Sequence, residues 1–476
     1  MESTTIVEKE LQKCPTGIQG LDEITFGGLP LGRPTLLSGN AGCGKTLMAM
    51  EFLVRGAKVY NEPGAFLSFE ETSNDLITNF ASLGFGLSKL IKSKKLIIDY
   101  VHIERSEIEE TGEYDLEGLF LRLANAIDSI GAKRVVLDTL EALFSGFTNE
   151  SILRAELRRL FRWIKDKGVT AIITGEKGEG MITKYGLEEY VADCVILLDH
   201  LVTDQIATRR IRIVKYRGSS HGSNEFPFLI SETGISVLPI TSIGLDYKVT
   251  SERISTGIKG LDEMFGNKGF FLRSTILVSG GAGTGKTSFA AHFIDSACRQ
   301  GRTCVCFAFE ESQDQILRNM KSIGFDLQQW IDKGLLKYSA NRPSHFGVEM
   351  HLLHIHNVIS QIKPDIVVID SITNLLVSAV KLDVHLMLTR LLDHMKMLKI
   401  TSFLTDLITD TTFNYSEVGI SSLVDTWIKL GNIQKDNLLK RKAFIIKSRG
   451  IGHSNAIHDF NITEKGVEIL NNTSQK

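Results

Sequence analysis

Short apolar runs rich in β-branched residues alternate along this chain with longer segments of helical period. Thr35-Leu36-Leu37-Ser38 predicts a buried strand, and Leu47 to Val54 predicts a helix. The same pair returns at Thr275 to Ser279 and from Ser288 onward. Val135-Val136-Leu137 and Val367-Val368-Ile369 are further buried runs, each ending in Asp. Strands that alternate with helices predict an α/β fold, a mostly parallel sheet with helices on both faces. In such a sheet, ligands bind at the carboxyl edge of the strands.

The alternation occurs twice because the chain is a tandem repeat. TGIQGLDEI from Thr16 matches TGIKGLDEM from Thr256. FLSFEETSNDLITNFASLGF from Phe66 matches CFAFEESQDQILRNMKSIGF from Cys306. VVLDTLEAL from Val135 matches VVIDSITNL from Val367, and VKYRGSSH from Val214 matches IKSRGIGH from Ile446. With the two glycine-rich loops discussed below, these blocks keep one order in both halves. The boundary falls near residues 240 to 252, giving domains over 1–246 and 247–476.

Composition narrows the class. The 476 residues are 43% hydrophobic and 23% charged, ordinary for a soluble globular protein, and each half is long enough to bury its own core. A net charge of −2 argues against non-specific binding to nucleic acid or an anionic membrane. Neither a signal pattern nor an apolar run of membrane-spanning length is present, so a cytoplasmic protein without a membrane partner is expected. The six cysteines form no C-x-x-C pair. Cys304 and Cys306 share one face of a strand and read as core. Cys43 reads as a small tolerated side chain rather than a redox-sensitive thiol. His351, His354 and His356 read as solvated helix surface rather than metal ligands.

The chemistry sits in two phosphate loops, GNAGCGKT over 39–46 and GGAGTGKT over 280–287. Both fit G-x-x-x-x-G-K-[ST] and lie between a strand and a helix. Their backbone N–H groups can point at phosphate oxygens, with the helix dipole behind them. The expected ATP contacts are Gly39, Gly42, Gly44, Lys45, Thr46 and Leu47, then Gly283, Thr284, Gly285, Lys286, Thr287 and Ser288. Lys45 and Lys286 would reach the β and γ phosphates, and the Thr46 and Thr287 hydroxyls would ligate Mg²⁺. Asp138 and Asp370 end buried runs and read as part of the metal shell, or else as caps of the next helix. Glu70-Glu71 and Glu310-Glu311 follow apolar strands. Each pair reads either as a catalytic base with a second acid for metal or proton handling, or as an acidic helix start. Lys215-Tyr216-Arg217 and Lys447-Ser448-Arg449 place two cations on one strand face, followed by His221 and His453. They read either as nucleotide contacts across a subunit interface or as a solvated strand face.

Two phosphate loops, a Glu pair after the next strand, and K-x-R-G near each domain end resemble the KaiC family of circadian-clock ATPases over essentially the whole chain. FAFEESQDQILRN and SRGIGH are specific to that family among RecA-like proteins. The resemblance implies two RecA-like P-loop domains, a homohexamer with ATP and Mg²⁺ at subunit interfaces, slow ATP hydrolysis in the first half, and autokinase and autophosphatase activity in the second. The family motif I-S-T-x-x-D-T matches Ile420-Ser421-Ser422-Leu423-Val424-Asp425-Thr426, making Ser421 and Ser422 the implied phospho-acceptors; an ordinary loop pair is the alternative. Glu310 would be the base in the second half, with Glu311 in its metal shell, and Glu70 and Glu71 would serve hydrolysis in the first. Lys215, Tyr216, Arg217, Ser219 and His221, with Lys447, Ser448 and Arg449, would contact the neighbour's nucleotide.

Departures from the family pattern are informative. Ser422 stands where the motif has Thr, Val377 where the family has an Arg that pairs with phosphorylated hydroxyls, and Ile323 where it has an adenine-side Trp. The chain stops soon after ITEKGVEILNNTSQK, where clock members carry a longer tail that binds KaiA, so a KaiA-type partner is not expected. A KaiB-like partner on the first half is open, and the acidic stretch around Glu107 to Glu113 does not decide it. Two other functions compete: a nucleic-acid motor on the same fold, disfavoured by neutral charge, and an ATP-assembled scaffold without turnover.

Overall fold

The computed structural model of the chain describes residues 11–101, 117–139, 141–142, 150–184, 192–203, 206–239, 249–340, 348–378, 381–408, 420–435 and 438–470. The Glu107 to Glu113 stretch, residues 240–248 between the repeats, and the last six residues lie outside the described ones. The chain divides into two compact units, Met1–Thr241 and Ser242–Lys476.

In the first unit a small ribbon pairs β1 (Lys13–Cys14) with β2 (Leu29–Pro30). The main sheet holds β3 (Pro34–Gly39), β4 (Gly64–Ser68), β5 (Leu96–Tyr100), β6 (Arg134–Asp138) and β7 (Thr170–Glu176). It continues through β8 (Cys194–Thr203), β9 (Ile206–Tyr216), β10 (Glu225–Ser231) and β11 (Gly234–Val237). Its order is β11-β10-β9-β8-β3-β7-β6-β4-β5. Strands from β8 to β5 run parallel, and β9 to β11 are added antiparallel at one edge. Alternation assigns the faces. Val136 points into the core under the Lys45–Val59 helix, while Val135 and Leu137 point into the core under the Glu117–Ile130 and Glu150–Lys167 helices.

The second unit repeats this plan. Its ribbon is β12 (Arg253–Ile254) with β13 (Phe270–Phe271). Its sheet comprises β14 (Thr275–Gly280), β15 (Cys304–Ala308), β16 (Leu336–Ala340), β17 (Ile366–Asp370) and β18 (Thr401–Leu407). β19 (Thr426–Lys435) joins the parallel set beside β14, and β20 (Leu438–Ser448), β21 (His458–Thr463) and β22 (Gly466–Leu470) form the antiparallel edge. The order β16-β15-β17-β18-β14-β19-β20-β21-β22 is the first sheet read from its other end. Each unit is thus the mostly parallel sheet between helices that the alternation of strands and helices predicts, and together they are the two tandem RecA-like domains that the resemblance implies. No helix among the described residues is long and apolar enough to cross a membrane.

The halves differ at one core position. Arg134 opens β6 with no exposed surface, where the repeat has the apolar Ile366. Its guanidinium donates to Glu62 Oε2 at 2.7 Å, to the Phe52 carbonyl at 3.0 Å and to the Pro15 carbonyl at 2.8 Å. The Phe52 and Tyr60 rings lie 4.6 and 5.0 Å from it. Removing one partner of a buried ion pair strands the rest, so Arg134→Ala is expected to destabilise the first unit by about 3–5 kcal/mol, read as a lower urea midpoint. Ile366→Ala, a plain cavity mutation, should act on the second unit alone, by about 2–5 kcal/mol.

Candidate nucleotide and phosphoryl-transfer site

Each phosphate loop joins the central strand, β3 or β14, to a largely buried helix, Lys45–Val59 or Lys286–Arg299. Gly44 and Gly285 cap these helices at φ of 107° and 100°, a left-handed backbone that glycine adopts freely. Gly39 and Gly280 are required for space. A Cβ on Gly39 would lie 2.5 Å from Cys43 Sγ, and one on Gly280 would lie 2.7 Å from Thr284 Oγ1. Cys43 and Thr284 thus fill the same slot under the two loops. Burial pushes the Cys43 thiol up, so it is a packing group rather than a reactive thiolate. Lys45 Nζ donates to the Gly39 carbonyl at 2.8 Å, and Lys286 Nζ to the Gly280 and Gly281 carbonyls at 2.9 Å, which holds each ammonium over its loop. Leu47 and Ser288 continue the two helices, and Ser288 is buried.

Asp138 and Asp370 meet these loops from the neighbouring strands. Asp370 Oδ2 accepts from Thr287 Oγ1 at 2.8 Å, and its other oxygen accepts from Thr405. Asp138 accepts from Thr174 and is bonded to Thr46 in the same way. Neither aspartate caps a helix through these bonds. Burial pushes both carboxyls up, bonds from the threonines pull them down, and Glu70 or Glu310 beside them pushes up again. A threonine hydroxyl fixed to a buried carboxylate, next to a second acid, is a set of hard oxygen donors that fits a divalent cation such as Mg²⁺.

The Glu pairs precede their helices rather than start them. Thr72 caps the Ser73–Asn79 helix, and Ser312 caps the Gln313–Ser322 helix with a reciprocal bond from Gln315. The two acids of each pair part company. Glu70 accepts from Thr139 Oγ1 at 3.0 Å, beside Asp138, and Glu310 accepts from Asn374 Nδ2 at 2.9 Å, beside Asp370. Glu71 and Glu311 turn to the following helix instead, accepting from Asn79 at 2.8 Å and Asn319 at 3.2 Å. The open cavity beside the first loop is lined by Gly42, Lys45, Thr46, Glu71, Asn79 and Phe80. Sequence reasoning passed over Asn79, Asn319, Thr174 and Thr405. The asparagines sit at matching positions of the repeated block, and that recurrence was the available signal.

The basic pairs lie elsewhere. Tyr216 faces Cys194, which faces Thr35 at the start of β3, and Ser448 faces Thr426, which faces Ile276 near the start of β14. Four residues of strand, about 13 Å, separate this level from the loops at Gly39 and Gly280. Lys215, Arg217, Ser219 and His221 therefore sit at the amino edge of the first sheet, opposite its phosphate loop, and Lys447 and Arg449 do so in the second. Tyr216 differs from its basic neighbours in where its side chain goes. Strand alternation turns it inward, where its hydroxyl donates to the Gly28 carbonyl at 2.8 Å and burial pushes the phenol up, so only its main chain is available. Ser448 Oγ is likewise paired with Thr426 Oγ1 at 2.8 Å.

Ser421 and Ser422 form a 3-10 turn, Ile420–Ser422, at that same amino edge. Ser422 is exposed and Ser421 half-buried. Lys447 Nζ donates to the Ser421 carbonyl, and Arg449 Nη2 to the Ser422 carbonyl at 2.7 Å. Asp425 holds the next corner, with Lys396 Nζ at 3.1 Å and Arg449 Nη1 at 3.8 Å.

The histidines overturn the reading of a solvated helix. On the Val348–Ile362 helix, His351 and His356 are buried. His351 packs edge-on to Phe309, His354 bonds Ser339 Oγ at 2.7 Å, and His356 lies against His394 with ring centroids 4.9 Å apart. The helix covers the second face of the sheet, so its histidine positions meet aromatic core. No group of three or more metal-ligating side chains exists among the described residues. Cys304 and Cys306 are buried as expected.

Comparison with known proteins agrees with this double site. The family model "ATPase: KaiC" matches twice, over residues 14–242 and 254–474. The chain is 54% identical over 464 residues to "Circadian clock protein KaiC2" of Synechocystis sp. (strain ATCC 27184 / PCC 6803 / Kazusa), covering 97% of this chain and 82% of that protein. It is 37% identical to "Circadian clock oscillator protein KaiC" of Rippkaea orientalis (strain PCC 8801 / RF-1), covering 98% and 90%. It is 36% identical to "Circadian clock oscillator protein KaiC 1" of the same Synechocystis strain, again covering 98% and 90%. With both halves matched and near-complete coverage of these relatives, the chain belongs to the KaiC family of nucleotide-binding ATPases.

Proposed function

We propose that the second half of this ATPase is a serine autokinase and autophosphatase that phosphorylates Ser421 and Ser422 across a subunit interface, while the first half hydrolyses ATP. The observation that supports it most is the placement of Ser421 and Ser422 at the amino edge of the sheet. Their own Lys286 loop is at the carboxyl edge, more than about 13 Å of strand away. A γ-phosphate bound there cannot reach them, whereas a neighbour's can if subunits stack edge to edge in a closed ring such as a homohexamer. The same placement suits Lys215, Arg217, Ser219 and His221, and Lys447 and Arg449, as contacts to the neighbour's nucleotide.

In the kinase reaction Glu310 takes the proton of the acceptor hydroxyl. The serine Oγ forms a bond to the γ-phosphorus, and the bond from that phosphorus to the β,γ-bridging oxygen breaks, its electrons leaving with ADP. Reverse transfer to ADP, or attack by water, removes the phosphate. Thr287 and Asp370 would hold a Mg²⁺, as Thr46 and Asp138 would in the first half, and Glu311 would join that shell only by turning away from Asn319; when bound, the ion spreads the charge of the phosphate oxygens. Glu70 and Glu71 would orient and deprotonate water for hydrolysis. The relatives are named as circadian clock proteins, which supports a role in circadian timing or signalling, carried out in the cytoplasm. A KaiB-like protein is a candidate partner for the first half.

Phosphosite mass spectrometry after incubation with Mg²⁺ and ATP tests this, with a Ser421→Ala/Ser422→Ala variant as control. Phosphate on either serine that vanishes in the variant is the expected result. ATP turnover without phosphate there would leave a paired ATPase ring. Single-stranded DNA binding that weakens steeply with salt would instead favour a nucleic-acid motor.

A further inference from the structure

We propose that Arg449, with Lys447, is the intrachain reader of a phosphate on Ser422. The inference deepens the kinase reading and rests on it only for the natural origin of the phosphate.

Three cations converge on the acceptor turn. Lys447 and Arg449 already donate to the carbonyls of Ser421 and Ser422. Lys396 stands behind them, paired with Asp425 Oδ2, the oxygen that also accepts from the Thr275 N–H at 2.9 Å. Asp425 Oδ1 is 3.8 Å from the second Arg449 nitrogen, which aims the guanidinium at the turn. The Lys447 ammonium is pushed down first by burial and then by Arg449 and Lys396, with Asp425 opposing. Among the described residues, Lys396 and Arg449 pair with the single carboxylate of Asp425, and Lys447 is in tension with its cationic neighbours. A phosphate on Ser422 brings close to two negative charges and three acceptor oxygens to this spot. Its carrier is exposed, its own carbonyl is already bonded to Arg449, and a guanidinium offers five N–H donors in a planar fork. Arg449 can therefore exchange the Ser422 carbonyl for the phosphate by side-chain rotation alone. Arg449 is also the proposed contact to the neighbour's nucleotide, so phosphorylated Ser422 would compete with that nucleotide for one cation.

The test installs phosphoserine at position 422 of the full chain during translation, which needs no kinase activity, and follows its second ionisation by ³¹P NMR against pH. A free phosphoserine titrates near 6. The expected result is a value lower by about one unit or more, a tenfold shift. It should return toward 6 in Arg449→Gln, be partly retained in Arg449→Lys, and shrink in about 1 M salt, where screening reaches about 3 Å. Arg449 is largely exposed, so these variants leave the core intact. An unshifted phosphate in the parent chain, or a depression that survives Arg449→Gln, overturns the proposal. Those outcomes leave the kinase reading untouched, just as failure to find phosphate after ATP incubation would leave this titration standing.

Discussion

Glu310→Gln will remove phosphate from Ser421 and Ser422 while ATP hydrolysis by the first half continues. The two Glu pairs are alike in sequence, but only the first member of each is held beside the strand-end aspartate. Glu310 is oriented by Asn374 next to Asp370, and Glu70 by Thr139 next to Asp138. Glutamine keeps the oxygen that accepts from Asn374 and keeps the side-chain volume; it loses only the basic carboxylate. A positioned base is worth about 100- to 10,000-fold in rate. Phosphorylation rate, read by mass spectrometry over time, should fall by that factor. Glu70→Gln should do the converse, suppressing steady-state hydrolysis and sparing phosphorylation. Equal losses of both activities from either single substitution would sink the division of labour between the halves.

Acid will unfold the second unit before the first. His292 and His394 are both pushed down to about 4, by burial, and His356 is lowered for the same reason. His292 is locked neutral. Its Nε2 accepts from the Val467 N–H at 2.7 Å, and its Nδ1 lies 3.1 Å from the Gly257 carbonyl. The charged ring would place a proton against the Val467 N–H. In the unfolded chain these rings titrate near 6.5. The folded value is the lower one, so their contribution is complete above about pH 6.5 and is lost as pH falls toward 4. By about pH 5, His292 and His394 would each remove on the order of 2 kcal/mol. The first unit buries an acid, Glu51, where the repeat has His292. There the buried Glu51 is pushed up by burial, so its penalty is relieved as pH falls. Trp330 and Trp427 report the second unit once Trp163→Phe silences the first. Urea unfolding followed by that fluorescence should show a midpoint falling markedly from pH 7 to pH 5, while pulse proteolysis of the first unit shows little change. A second-unit midpoint that does not move would refute the assignment.

The errors of sequence reading are instructive because each has a local cause. His351, His354 and His356 share helical spacing, but period alone does not say which face meets the sheet, and the polar residue type suggested the wrong one. Arg134 gave no sign of burial, because its partners Glu62, Phe52 and Pro15 are spread over 119 residues of chain. Cys43 was read correctly, since a small side chain in a tight loop has few other roles.

What the sequence determined by itself is what depends on neighbours in the chain. A phosphate loop is a local backbone conformation between a strand and a helix, so its residues announce it wherever they stand. The repeat, the alternation of strands and helices, and the Asp at each strand end are of the same kind. What only the tertiary structure decided is everything set by strand register and side-chain direction. Glu310 faces Asp370 and Glu311 does not. Ser421, Ser422, Lys447 and Arg449 gather at the edge of the sheet opposite their own phosphate loop. Those relations come from pairing β14 with β19 and β19 with β20, segments up to about 170 residues apart, and no local spacing encodes them.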